Sequence, residues 1–140
     1  MRIIITSSLL LLLSACGGGQ ARNAATPVPA AEMKNPVERN QKSIDNGKRL
    51  YDKYCANCHG AAGDAKGEAV AEAVKTYGVQ PSDLTDNVWT LGSTDGDIYV
   101  AIRDGVGDKS VMRGLNGKPG VGDLQMWDIV NYVRSLAKPH

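Results

Sequence analysis

The run Cys55-Ala56-Asn57-Cys58-His59 constrains this chain more than any other stretch of it. Two cysteines two residues apart, with a histidine directly behind them, form the C-x-x-C-H pattern on which a c-type haem is attached covalently. The spacing follows from the chemistry. Each sulfur adds to one vinyl group, two intervening residues let both sulfurs reach, and the histidine is then held against the iron as its proximal ligand. A zinc site would need two further Cys or His ligands, and the chain offers one other of each, Cys16 and His140, at its opposite ends. A thioredoxin-type redox pair belongs in a strand–loop–helix setting beside a parallel sheet, and no sustained period-two alternation supports one. A chain with one such motif is predicted to carry one covalent haem c, and its fold must close around a large apolar group tied to it at two points.

The N-terminus points outside the cytoplasm. Met1-Arg2 gives a minimal positive start, and Ile3 to Leu13 is apolar apart from Thr6, Ser7 and Ser8. That stretch is too short for a membrane-spanning helix, which needs about 20 residues, and reads as a signal peptide. It ends in Leu13-Ser14-Ala15-Cys16, which resembles the lipobox of bacterial lipoproteins. The resemblance implies cleavage before Cys16 and lipidation of its sulfur. An ordinary signal peptide with a chance cysteine at its cleavage site is the alternative, but the leucine three positions before the cut and the cysteine itself favour the lipobox. The cysteine arithmetic agrees: an odd cysteine in an exported chain needs an explanation, and lipid on Cys16 with haem on Cys55 and Cys58 leaves none over.

Three regions follow: residues 1–15 as a lipoprotein signal peptide, 16–40 as a lipid-anchored flexible tether, and 41–140 as the folded domain. The tether opens with Gly17-Gly18-Gly19, continues through Ala24 to Ala31 with two prolines, and has no apolar periodicity. The folded part is small for burying a core and contains no phenylalanine, so a bound haem supplies apolar bulk that the side chains do not. The chain has 16 Lys and Arg against 15 Asp and Glu, and loss of Arg2 brings the two into balance. Nucleic-acid binding, which needs a clustered basic face, is not expected. Arg39, Lys42, Lys48, Arg49 and Lys53 crowd the approach to the haem motif, whereas aspartates dominate from Asp83 to Asp108. Such asymmetry is either a solvated surface or a field that steers a redox partner.

The periodicities predict helices and no sheet. Ser43 is the expected N-cap of a helix reaching Cys55, with Ile44, Gly47, Leu50 or Tyr51, and Tyr54 at helical spacing. Gly67 to Tyr77 is alanine-rich and stops at Gly78. Asp97 to Arg103 is short and closed by Gly105. Asp123 to Ala137 is the clearest, with Leu124, Trp127, Ile129 or Val130, Val133 and Leu136 as an apolar stripe before Pro139. The domain is predicted all-α.

With these residues placed, the chain resembles the class I c-type cytochromes, especially the small bacterial single-haem kind, over about residues 43–138. The resemblance rests on Gly47-Lys48-Arg49-Leu50-Tyr51, Tyr54 to Gly60, Gly63-Asp64, Pro81-Ser82-Asp83-Leu84, Asp95 to Ile98, Ile102-Arg103-Asp104-Gly105 and Trp127 to Leu136. It implies a class I cytochrome c fold in which the N- and C-terminal helices cross beside the haem, with Gly47 against Ile129 and Tyr132.

The second axial ligand must come from what remains after His59. His140 is the last residue, Met1 leaves with the signal and Met33 lies in the tether, so Met112 and Met126 are the candidates. Met126 precedes Trp127 on the terminal helix, where methionine is commonly a core filler. The resemblance selects Met112, because in that family a loop after a helix ending in Ile-x-x-Gly brings a methionine thioether to the iron. That family often has proline after the methionine, where this chain has Arg113. The resemblance also implies that the Pro81 carbonyl accepts a hydrogen bond from the outer nitrogen of His59.

The function implied is a membrane-anchored cytochrome that passes one electron between respiratory or oxidising partners such as a reductase, dehydrogenase or oxidase. It would face the periplasm or cell exterior. No nucleophile, base or oxyanion constellation suggests an enzyme, and no small-molecule substrate is expected. The alternatives are a permanently docked electron-transfer subunit of a larger membrane redox complex, a haem gas sensor or peroxidase with an open iron site, and a haem-free lipoprotein with a C-x-x-C disulfide.

Overall fold

The computed structural model describes residues 27–107 and 112–137. Cys16 and the predicted signal peptide and cleavage site, with residues 16–26 of the predicted tether, lie outside the described residues, as does His140. Five helices follow a 3₁₀ turn at Ala30–Glu32: α1 Gln41–Tyr54, α2 Ala56–His59, α3 Val70–Tyr77, α4 Asp95–Asp104 and α5 Asp123–Leu136. Among the described residues β structure is limited to an isolated bridge between Gly105 and Arg113. The all-α expectation holds.

The frame is the crossing of α1 and α5. Gly47 makes it possible: a Cβ there would overlap the Asp128 carbonyl and lie 2.9 Å from Tyr132 Cβ. The nearest backbone is that of Asp128, and the expected approach to Tyr132 is observed. Tyr51, fully buried, sets its ring 5.0 Å from that of Tyr132 at a tilt of 60°, a favourable edge-biased arrangement. Met126 through Val133 are buried without a break, so α5 is enclosed on all sides rather than along one stripe. On a further side Tyr99 of α4 stacks on Trp127 with centroids 4.2 Å apart.

Full enclosure obliges the polar residues of α5 to find partners. Ser43 donates to Asp128 Oδ1 at 2.5 Å, and Asn131 Nδ2 donates to Ser43 Oγ at 2.9 Å. Ser43 is therefore spent on the helix crossing. Asn40 caps α1 instead of Ser43, its side chain accepting from Ser43 N at 3.1 Å. The two residues are both good caps, and the buried carboxylate decides between them.

Helix α3 starts at Val70, three residues later than expected, because Gly67 is pressed against the haem motif. A Cβ on Gly67 would sit 2.5 Å from the Asn57 carbonyl carbon, and Ala69 N donates to Asn57 O at 2.9 Å. Gly78 ends α3 in the left-handed conformation, as its sequence position predicts.

The tether expectation needs correction at its C-terminal end. Met33 and Val37 pack against the core, Asn35 Nδ2 donates to Asn131 Oδ1 at 2.9 Å, and Asn131 Nδ2 donates to the Val37 carbonyl at 3.1 Å. Gly96 lies so close to the 3₁₀ turn that a Cβ would overlap the Ala30 carbonyl. Residues 30–37 are thus part of the folded unit. Their anchoring is by single side chains, which leaves no period for a sequence reading to detect.

Candidate functional site

Helix α1 delivers the haem motif. Cys55 follows its last residue, and Cys58 N and His59 N both donate to the Cys55 carbonyl, at 3.1 and 2.9 Å. One helical turn therefore carries Ala56 to His59. Tyr51 Oη donates to the Gly60 carbonyl at 2.7 Å, which fixes the exit of that turn from below. Gly60 and Gly63 both have positive φ, and the chain then leaves on the excursion that holds α3. The neck of the excursion closes where Leu84 N donates to Gly63 O at 2.7 Å. Residues 82–84 are so returned to His59.

That return brings a carbonyl to the imidazole, but not the expected one. His59 Nδ1 lies 3.0 Å from the carbonyl oxygen of Ser82. The role inferred for Pro81 falls to the next residue. Every residue carries a carbonyl, so which one turns toward the ring depends on a loop register that the side-chain identities do not reveal. With Nδ1 carrying the proton donated to Ser82 O, Nε2 keeps its lone pair for a metal.

Beside the motif lies a partly open cavity with a mainly apolar lining. Cys55, His59 and Met112 all line it. Cys58 and Pro81 are not among the lining residues. The remaining wall is mostly apolar: Leu84, Ile98, Ile102, Ile129 and Val133 from the body of the domain, and Val88 to Gly92 from an irregular segment. Burial pushes the Cys55 thiol up to about 12, with Cys58 adding to the effect. The same burial, with Cys55 second, raises the Tyr51 phenol. Both shifts have the sign of a dry apolar site that disfavours charge.

Met112 reaches the cavity from a loop laid against the end of α4. Val106 N donates to the Met112 carbonyl at 3.1 Å, Leu115 N to Ile102 O at 2.9 Å and Asn116 N to Arg103 O at 3.0 Å. Glycines make the approach possible. Gly105, at φ +81°, would place a Cβ 2.5 Å from the Met112 carbonyl oxygen. Met126 is elsewhere, 1% exposed in the core, as a core filler should be. Met33 packs on the core without lining this cavity. Two parts of the wall were not singled out from the sequence: the Ser82 carbonyl and the segment around Trp89. The one available signal was Trp89 itself, a large aromatic between Val88 and Leu91 in a stretch with no helical period.

The site has what a covalently bound haem requires: a paired-cysteine turn, an imidazole with its outer nitrogen satisfied, a thioether and an apolar slot. Comparison with known proteins agrees. Residues 44–137 match the family model described as Cytochrome c. The chain is similar to a cbb3-type cytochrome c oxidase subunit CcoP of Rubrivivax gelatinosus, at 32% identity over 86% of this chain and 36% of that protein. It spans less than half the length of the curated relatives it matches. Its fold is similar to a chain of the Kuenenia stuttgartiensis reducing HAO-like protein complex (TM-score 0.63, 22% identity, covering 76% of this chain and 50% of that one). It is also similar to cytochrome cL from Hyphomicrobium denitrificans (TM-score 0.54, 22% identity, covering 73% and 51%).

Proposed function

The chain belongs to the cytochrome c family, and on that footing we propose a membrane-anchored, single-haem electron carrier in which His59 and Met112 are the axial pair. It is an electron-transfer protein with one covalent haem c on Cys55 and Cys58. When bound, the haem supplies a one-electron iron couple. The protein's part is to hold that couple and to tune it. Cys55 and Cys58 tie the group to the turn after α1. The Ser82 carbonyl orients the His59 ring and makes it a stronger donor. Met112 offers a soft, neutral thioether, which favours the reduced state more than a second imidazole does. Ile98, Ile102, Ile129 and Val133 keep water from that face.

The observation that carries the reading is that Cys55, His59 and Met112 line one apolar cavity while Met126 is buried apart from it. His59 and Met112 would both hold the haem iron, which would leave no open position for a gas or a peroxide. The test is the weak long-wavelength thioether-to-iron band of the oxidised protein. It is expected to vanish in Met112→Ala and to persist in Met126→Ala; persistence in Met112→Ala overturns the assignment.

The sequence before the domain supports export and lipidation at Cys16, after a signal peptide of residues 1–15. Because residues 30–37 pack on the domain, the free tether is shortened to about a dozen residues, with a root-mean-square reach of about 20 Å. Cys16→Ser is expected to move the haem protein from the membrane to the soluble fraction. Redox proteins such as an oxidase, a reductase or a dehydrogenase are the partners that this placement suits. The likeness to oxidase subunits favours a second reading, a permanently docked subunit. Co-purification of a stable oxidase after mild detergent extraction distinguishes that subunit from a free carrier.

A further inference from the structure

Five consecutive residues, Val88 to Gly92, form one wall of the cavity without regular secondary structure. Val88 and Leu91 line the cavity from this segment, and further constraints act on it from outside the cavity. Its downstream end is held by the start of α4, where Thr94 and Asp97 form a capping box. A third constraint comes from a residue distant in sequence. Arg134, in the last turn of α5, donates from Nε to Asp95 Oδ1 at 2.7 Å and from Nη2 to the Ser93 carbonyl at 2.5 Å. Its guanidinium carbon lies 4.9 Å from the centre of the Trp89 ring. The side chain is 19% exposed, so these contacts are screened less than those of a free surface arginine.

One guanidinium therefore meets the wall segment at both of its ends. Arginine suits this because its planar fork can bond along its edge while its face stacks on an aromatic ring. Lysine, a point charge on a flexible stem, can keep the pairing with Asp95 but not the stack and the second directed bond together. We propose that Arg134 is a positioning residue that holds the 88–93 segment closed over the haem cavity, excluding water and exogenous ligands from the iron and so keeping the reduction potential high. The proposal rests on the reading of His59 and Met112 as axial ligands only for its ligand-binding test.

The experiment uses the full-length haem protein and three variants, Arg134→Gln, Arg134→Lys and Asp95→Asn. Three quantities are read: imidazole affinity of the oxidised form by absorbance, the midpoint potential, and the rate of chymotrypsin cleavage after Trp89 and Leu91. Arg134→Gln is expected to bind imidazole about tenfold more tightly, to have a lowered potential and to be cut faster. Arg134→Lys separates positioning from charge. It keeps the cation, so a purely electrostatic role would leave it like the unaltered protein, whereas positioning predicts that it follows Arg134→Gln. If Arg134→Gln does not take up haem, Asp95→Asn, which removes the charge from one of the three contacts and so weakens it, is expected to move all three readouts in the same direction by less. The proposal is overturned if the Arg134 variants, or Asp95→Asn in their place, match the unaltered protein in affinity, potential and cleavage. Should the unaltered protein bind imidazole as readily as Met112→Ala, the axial assignment fails, and the midpoint potentials and cleavage rates decide for or against Arg134.

Discussion

At position 47 hydrogen is the largest side chain that the helix crossing admits. The Asp128 carbonyl occupies the place of a Cβ, and Tyr132 Cβ stands 2.9 Å away, so neither neighbour can yield without moving α5. Gly47→Ala should therefore destabilise the haem protein by about 2–3 kcal/mol, the cost of overpacking a close backbone contact, despite the better helix propensity of alanine. Denaturant unfolding measures this, and an alanine variant as stable as the unaltered chain would refute the packing argument. The two methionines separate in a similar way. Met126 is 1% exposed, and Met126→Ala should cost about 2–5 kcal/mol through the cavity it leaves without altering the haem spectrum. Residues whose chemistry is unusual were legible in the sequence: the cysteine pair, the histidine behind it, and the glycine that a helix interior does not favour. Ser82 was not, because its contribution is a backbone carbonyl that any residue could supply. Arg134 was equally hidden, since an arginine near a helix C-terminus has an ordinary explanation in the helix dipole.

Elements with a clean period were predicted close to their observed bounds, and the errors lie where a tertiary contact overrode a local signal. Helix α5 was expected over residues 123–137 and spans Asp123–Leu136. Helix α4 was expected from Asp97 and begins at Asp95, because Thr94 and Asp97 satisfy each other's backbone amides in a capping box. Thr94 Oγ1 accepts from Asp97 N at 3.1 Å, and Asp97 Oδ2 accepts from Thr94 N at 3.0 Å and from Thr94 Oγ1 at 2.7 Å. The Thr94 hydroxyl, then the Thr94 amide, hold the Asp97 carboxyl below its ordinary value. A carboxylate with a depressed folded value stabilises fully above its unfolded value, near 3.9, and loses that contribution as pH falls through the folded value. Thr94→Ala should cost about 1 kcal/mol at neutral pH, as lost N-caps generally do. The difference from the unaltered protein should shrink as pH falls below about 4. Thermal unfolding at a series of pH values tests this; a deficit independent of pH would remove Asp97 from the explanation.

The whole molecule is larger than its family match. The matched region begins at residue 44, yet the folded unit extends back to the 3₁₀ turn at Ala30–Glu32. The reason is the full enclosure of α5: Asp128 and Asn131 are buried polar residues, and their partners must come from somewhere. Ser43 and Asn46 of α1 serve Asp128, but Asn131 depends on the N-terminal segment for the Asn35 amide and the Val37 carbonyl. A chain cut at residue 41 would lose both partners, together with the packing of Met33 and Val37 against the core. Unsatisfied buried amide groups cost about 1–3 kcal/mol, and the two apolar side chains contribute about 1–2 kcal/mol more as half-buried groups. A chain beginning at residue 41 should therefore be about 2–5 kcal/mol less stable than one beginning at residue 27, with the same haem spectrum. Equal thermal midpoints for the two chains would return residues 27–40 to the role of a plain tether. A lower midpoint for the shorter chain makes the segment a strap that holds α5 from outside the matched region.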